Sequence, residues 1–440
     1  MRWKASRIAA IVGGRLEGPD VEVEGARQDS RELTGGELFV PVRAERDGHD
    51  FIEAALGGGA AAYLTARPPV GGTAIVVDDP ETALATLGRD ARGRLPDRVV
   101  GITGSVGKTT AKDLTAAALG QRFRVAASER SFNNEIGVPL TLVNAPGDTE
   151  AAVVEMGARG HGHISLLCDL GRPTIAVVTT VEAVHTEMFG ELADVARAKG
   201  ELVEALPSSG VAVLNAVNPF TAGMVDIVPA GARVLTFGTG RSDVWADDVV
   251  VDDELRPAFR LVTPWGSEQV RLGVRGRHNV MNALAATGAA MAAGAGLAEV
   301  AAGLSDAALS PWRMELHTTA SGARVLNDAY NAGPASMAAA LQALDHLGAD
   351  GRRIAVLGPM AELGDRSGEA HREVATLAHE LGIELIAVGA PDYTGAPALH
   401  VADRDAALAA VGALGPGDVV LVKGSRVAGL EALAQALLAS

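Results

Sequence analysis

The stretch Gly101-Ile102-Thr103-Gly104-Ser105-Val106-Gly107-Lys108-Thr109-Thr110 constrains this chain more than any other. Val99-Val100 runs into it like the end of a buried strand, and Ala111 to Leu119 leaves it like a helix. A glycine loop between a strand and a helix N-terminus is a phosphate cradle. Its backbone N–H groups point inward, the helix dipole favours anions, the lysine reaches the terminal phosphates, and the next hydroxyl holds Mg²⁺. The longer form of the motif has a glycine where Ile102 stands, so this is the tighter Thr-Gly-x-x-Gly-Lys-Thr form. A chance glycine turn, the competing reading, leaves the strand–loop–helix context unexplained. The expected nucleotide contacts are therefore Gly104, Ser105, Val106, Gly107, Lys108, Thr109 and Thr110.

The rest of the chain divides around this loop. Residues 1–96 read as a small α/β unit, with strands at Leu38-Phe39-Val40 and Ala74 to Val77 and a helix over Phe51 to Leu56. The polar run Arg92-Gly93-Arg94-Leu95-Pro96-Asp97 reads as a linker. Residues 97–310 carry the loop, further strands at Ala151 to Glu155, Thr174 to Thr179 and Val211 to Leu214, and helical stretches between them. This alternation predicts a mostly parallel sheet with helices on both faces and ligands beyond the carboxyl ends of its strands. Residues 311–440 start again, with short apolar strands at Ile354 to Leu357, Leu385 to Val388 and Val419 to Val422, and predict a Rossmann-like doubly wound domain. The expected fold class is thus α/β with three domains. None of them has a Gly-x-Gly-x-x-Gly after a strand, so no nicotinamide site is expected.

A formal net charge of −16 argues against nucleic acid and anionic membranes as partners, and requires local Lys, Arg and Mg²⁺ to meet anionic substrates. The single cysteine, Cys168, fits a reducing cytoplasm. The apolar run Ile8 to Val12 is too short for a signal peptide. The uncharged stretch Val280 to Leu297 is Ala/Gly-rich and reads as one tightly packed helix, not a membrane span. A monomer is expected.

Several residues carry chemistry. Glu155 ends an apolar strand, and a carboxylate at a strand tip beside a phosphate loop suits Mg²⁺; the alternative is a surface glutamate. His185 follows the strand ending at Thr179-Thr180 and reads as functional or structural. Lys199 lies inside a helical pattern and on spacing alone reads as a solvated lysine. Asn279 and Asn282 are three apart on one helix face, suited to reading the edge of a base or, for Asn279, to capping the helix. Arg313 and Asp328 either close over the nucleotide from the last region or form an interdomain salt bridge; Tyr330 and Asn331 lie beside them. Lys423-Gly424-Ser425-Arg426 follows a strand, at an edge where a carboxylate ligand would find Lys423, Ser425 and Arg426.

In this order, these residues resemble the Mur ligases, the ATP-dependent amino-acid and peptide ligases of peptidoglycan precursor synthesis, over essentially the whole chain. Thr103 to Thr110 resembles the family phosphate loop. Glu155-Met156-Gly157 and His185 resemble its metal ligands, Ala198-Lys199-Gly200-Glu201 the segment with its carbamylated lysine, and Gly276-Arg277-His278-Asn279 with Asn282 its adenine-contacting segment. Phe132 to Pro139, Asp328 to Ala332 and Met360 to Gly364 are similar to the member that adds D-alanyl-D-alanine to a UDP-muramoyl tripeptide. Asp29-Ser30-Arg31 and Asp47 to Phe51 resemble a uridine-nucleotide site.

The resemblance implies ATP and two Mg²⁺ ions, Lys108, Glu155, His185 and carbamylated Lys199 as the catalytic set, and Thr109 with the last three as metal ligands. It implies substrate contacts from Ser30, Arg31, His49, Asn133, Asn134, Tyr330 and Asn331, beside the strand-edge candidates Lys423, Ser425 and Arg426, with UDP-N-acetylmuramoyl-tripeptide and D-alanyl-D-alanine as substrates. Two other expectations stand beside it. A paralogue would join a different amine or acid. A regulatory nucleotide switch would turn ATP over slowly, whatever peptide is present.

Overall fold

The structure is a computed structural model that describes residues 1–182, 191–348 and 350–439. His185 lies outside the described residues.

Strand alternation explains the central layer. Its nine-stranded sheet contains β8 (Val99–Thr103), β9 (Val125–Ala127), β10 (Ala151–Glu155), β11 (Ile175–Val178), β12 (Val211–Asn215), β13 (Arg233–Gly238), β14 (Val244–Val251), β15 (Pro257–Thr263) and β16 (Gly266–Arg271), in the order β16-β15-β14-β13-β12-β11-β8-β10-β9. It is parallel from β9 to β14, and β15 and β16 are antiparallel. Val99, Ala152, Val154, Ala176 and Val178 face one core, with α5 (Gly137–Asn144), α6 (His163–Gly171) and α7 (Leu192–Glu204). Val100, Ile102, Val153 and Val177 face the other, with α4 (Lys108–Gly120), α9 (Asn279–Ala292) and α10 (Leu297–Asp306). Burial on both faces is why these strands read as continuous apolar runs. The short α8 (Pro219–Gly223) follows β12.

The first unit holds a pair of strands, β1 (Arg2–Lys4) and β3 (Glu22–Glu24), and a five-stranded sheet ordered β2-β7-β6-β5-β4. The sheet is built from Arg15–Glu17 (β2), Ala26–Arg27 (β4), Leu38–Phe39 (β5), Ala62–Thr65 (β6) and Ala74–Val76 (β7). Its helices are α1 (Ala5–Val12), α2 (Ile52–Gly57) and α3 (Pro80–Arg94). Trp3, Ile8, Leu38 and Ile75 belong to the same core as the central strands, so the unit is packed onto the centre.

The last unit has β17 (Glu315–Thr318), β18 (Arg324–Asn327), β19 (Arg353–Leu357), β20 (Glu384–Val388), β21 (Leu399–Val401) and β22 (Val419–Lys423), ordered β17-β18-β22-β19-β20-β21 and parallel except for β17. Its helices are α11 (Pro334–Leu347), α12 (Ser367–Glu380), α13 (Arg404–Val411) and α14 (Glu431–Ala439).

Three readings need correction. Arg92–Arg94 is the last turn of α3, not a linker. Arg92 is buried and donates from Nε to Gly171 O (2.7 Å) and from Nη2 to Arg172 O (3.0 Å), satisfying carbonyls at the end of α6. The stretch Val280 to Leu297 is two helices, because Gly294 takes φ 93° and Gly296 opens α10. Strands β13 to β16 extend the sheet beyond the strands expected from the sequence. Among the described residues, no helix is long and apolar enough to cross a membrane.

Candidate active site

The phosphate loop connects β8 to α4 at the carboxyl edge of the central sheet. Gly104 takes φ 148° and Gly107 φ 85°, conformations that favour glycine. Space gives a second reason. A Cβ on Gly104 would stand 1.9 Å from Thr179 Oγ1, and one on Gly107 would stand 2.3 Å from Asn282 Oδ1. The loop is strapped to the segment after β11. Thr179 Oγ1 donates to Val106 O (2.6 Å), Ser105 N to Thr180 O (2.7 Å), and Ser105 Oγ to Glu182 O (3.0 Å). Asn215 Nδ2 and Asn218 Nδ2 hold that segment in turn through Thr179 O and Val181 O. The Lys108 ammonium rests on Gly104 O (2.9 Å) and Ser105 O (3.3 Å). Burial lowers its pKa, and Arg313 adds to that, while Glu155 and Glu362 oppose it.

Glu155, the last residue of β10, is buried and not a surface glutamate. Its N–H donates to Ser128 Oγ (3.0 Å), and its Oε1 accepts from Asn133 Nδ2 (2.8 Å). Its Oε2 is buried with no hydrogen-bond partner. A buried carboxylate oxygen left unpaired is costly unless a cation faces it. Thr109 is also buried, at the start of α4. Among the described residues no group of three or more His, Cys, Asp or Glu gathers to hold a metal. One carboxylate, a hydroxyl and substrate phosphates suit Mg²⁺, which keeps few protein ligands.

Lys199 is not solvated. It is 2% exposed on the inner face of α7, with Val195 and Leu202. Burial drives its pKa well below the ordinary lysine range, and the nearby Lys108 charge pushes the same way.

At the start of α9, Asn279 does not cap. Its Nδ2 donates to Arg275 O (2.6 Å), and its Oδ1 accepts from Asn282 Nδ2 (2.8 Å). Asn279 thus braces Asn282, which overhangs Gly107.

From the last unit, Arg313 stacks on Tyr330, its Cζ 4.0 Å from the ring centroid, and its Nε is buried without a partner. Asp328 pairs within its own unit, with Lys423 Nζ (2.5 Å), and not across to another domain. Lys423 also donates to Asn331 O (2.9 Å) and is buried. Its charge is engaged by Asp328 and the Asn331 carbonyl. Ser425 Oγ accepts from Ala361 N (2.9 Å), while Arg426 is exposed over Trp312 and pairs with Glu431 (2.6 Å). Asn331 is exposed, and Tyr330 Oη bonds to Ser131 Oγ of the centre.

In the first unit, Arg31 is exposed and forks onto Asp29 (Nη2 to Oδ2, 2.6 Å) beside Ser30. Both ring nitrogens of His49 are engaged: its Nδ1 meets Asp47 Oδ1 (2.6 Å) and its Nε2 accepts from Ala66 N (3.1 Å). Asn134 Oδ1 accepts Gly137 N (2.8 Å) and so shapes the entry to α5.

Sequence reasoning missed Lys112, Asn133 as the partner of Glu155, and the Asn215/Asn218 strap. A signal existed for Lys112, which lies on one helix face with Thr115 and Leu119.

The chain is similar to known proteins over most of its length. The Mur ligase middle domain matches residues 102–290, and the Mur ligase glutamate ligase domain matches residues 312–426. The UDP-N-acetylmuramoyl-tripeptide–D-alanyl-D-alanine ligase of Escherichia coli (strain K12) is 37% identical, over 98% of this chain and 97% of its own. That of Mycobacterium tuberculosis (strain ATCC 25618 / H37Rv) is 39% identical, over 99% and 97%. Among solved structures, MurF from Acinetobacter baumannii superposes with a TM-score of 0.87 at 29% identity, covering 100% of this chain and 99% of that one. MurF ligase from Thermotoga maritima, in complex with ADP, gives 0.80 at 27%, covering 95% and 97%.

Proposed function

The chain belongs to the Mur ligase family, and we propose from that premise that it joins UDP-N-acetylmuramoyl-tripeptide to D-alanyl-D-alanine at the expense of ATP, in peptidoglycan precursor synthesis. The observation that carries this reading is the end-to-end match, at 37% and 39% identity, to ligases with that name.

A carboxylate is a poor acylating agent because its leaving group would be oxide. Transfer of the ATP γ-phosphoryl to the tripeptide carboxylate gives an acyl phosphate and ADP. The dipeptide amine then attacks the acyl carbon, and phosphate leaves as the amide forms. Lys108 meets the charge spread over the transferring phosphoryl. Glu155 and Thr109 would hold one Mg²⁺, and His185 and Lys199 would serve a second; bound there, the ions would neutralise phosphate charge. Lys199 suits carbamylation, since burial lowers its pKa and so favours the neutral amine, the form that attacks CO₂ and loses a proton to give an anionic oxygen ligand. A carbamate signal in ¹³C NMR with labelled bicarbonate tests that step.

Asn282, braced by Asn279, and Arg313 are the candidates for the nucleotide. Asn331 and Arg426 remain the candidates for the dipeptide, and Ser30 with Arg31 for the UDP moiety. The lone buried cysteine suits a reducing cytoplasm. The test is phosphate release and product mass against a matrix of UDP-muramoyl peptides and D-amino-acid dipeptides. Release should be negligible until a tripeptide and D-Ala-D-Ala are both present. ATP turnover indifferent to peptides, or a different preferred pair, overturns the reading.

A further inference from the structure

Lys112 lies on α4 one turn beyond Lys108 and is 2% exposed. Lysine is almost never buried unless paired. Here the ammonium donates to Ser128 O (2.8 Å) and Arg130 O (3.1 Å) and pairs with Asp113 Oδ1 (2.6 Å), so its three protons are all engaged. What it grips is a loop that needs gripping. Arg130 has φ 49°, a left-handed conformation that a non-glycine residue adopts at a cost.

That loop touches Glu155 twice. Ser128 Oγ accepts the Glu155 N–H (3.0 Å), and Asn133 Nδ2 donates to Glu155 Oε1 (2.8 Å), which turns Oε2 into the unpaired position. Between them Ser131 meets Tyr330 of the last unit. The other half of the pair, Asp113, accepts from Ser310 N (2.8 Å) and Ser310 Oγ (3.2 Å), just before the last unit begins.

We propose that Lys112 is a positioning residue: by clamping Ser128 and Arg130 it aims the Glu155 carboxylate at its cation. This rests on the reading of Glu155 as a metal ligand. Partners that orient a metal-binding carboxylate typically change metal affinity by about 10- to 100-fold when removed.

The test uses the full chain and Mn²⁺ as the probe, with ADP present, read by electron paramagnetic resonance. Lys112→Met should weaken Mn²⁺ binding about 10-fold, while affinity for ADP without metal stays at the parent value. Ser128→Ala keeps the backbone carbonyls that Lys112 holds but loses the contact to Glu155, and should weaken Mn²⁺ in the same direction. The double variant should be no worse than the worse single. Parent-like Mn²⁺ affinity in Lys112→Met overturns the proposal, as does an equal loss of metal-free ADP binding. If Lys112→Met fails to fold, Ser128→Ala decides, and parent-like affinity there overturns it. A parent that binds no Mn²⁺ with ADP overturns the metal reading of Glu155 itself and this proposal with it. Because no step of the assay needs ligation, failure of the ligase reading alone would be seen separately, in the phosphate-release matrix.

Discussion

Replacing Lys108 by Met removes the loop's charge and keeps most of its stem. In the nucleotide-free protein the ammonium donates to Gly104 O and Ser105 O, contacts from a charged donor worth about 1.5–3 kcal/mol each. Against this stands the desolvation that depresses its pKa, a cost of a few kcal/mol on the same scale. The two oppose each other, so stability without ligand should move by about 1 kcal/mol or less. The reaction has no such offset. Losing one preorganised contact to the transferring phosphoryl costs about 3–4 kcal/mol of transition-state stabilisation, or on the order of 10²–10³ in kcat. The assay is single-turnover phosphate release with tripeptide and dipeptide saturating, beside urea unfolding of the apo protein.

The pH dependence adds a second readout. A depressed lysine loses its proton at lower pH than an ordinary one, so kcat/KM for ATP should fall on the alkaline side well before about 10.4. Lys108→Arg stays charged and should be slower, with that limb moved to higher pH. A Lys108→Met variant with kcat within about tenfold of the parent would refute the reasoning, since that is under half the transition-state term.

Other outcomes follow from buried groups. Lys199 has a depressed pKa, so between that value and about 10.4 the unfolded chain binds a proton the folded one does not, and stability rises with pH. In CO₂-free buffer Lys199→Met should remove that rise and be the more stable protein at pH 7; urea midpoints that stay parallel to the parent's across pH would count against it. Arg92→Met leaves the end of α6 without two charged donors and should cost about 3 kcal/mol of unfolding free energy, with a change under about 1 kcal/mol as the contrary result. The N–H and ring of His49, with Arg67, hold Asp47 down at about 2. Its stability contribution is whole above the ordinary ~3.9 and lost as pH falls toward 2. Asp47→Asn should flatten acid unfolding of the first unit over that window, and an unaltered acid transition would remove Asp47 from the account.

Sequence by itself determined the parts whose physics is local. A glycine loop between a strand and a helix N-terminus leaves backbone N–H groups free to meet an anion, and Gly104 and Gly107 have the positive φ such a loop requires. Glu155 at a strand's carboxyl end follows from strand length, and the two-sided central sheet follows from its apolar runs. Tertiary structure decided the partners of each polar side chain and the direction of its pKa shift, because both depend on what lies opposite. Helical spacing alone made Lys199 a solvated lysine, whereas the sheet packed against α7 buries it and lowers its pKa. Lys423 looked free to bind a carboxylate until Asp328, distant in sequence, took its charge. His49 was spent on Asp47 and the Ala66 N–H, and Asn133 was turned toward Glu155 by a loop that Lys112 holds from another element. A charge in a low-dielectric interior answers to its nearest partners, and those are assembled by the fold, not by neighbours in the chain.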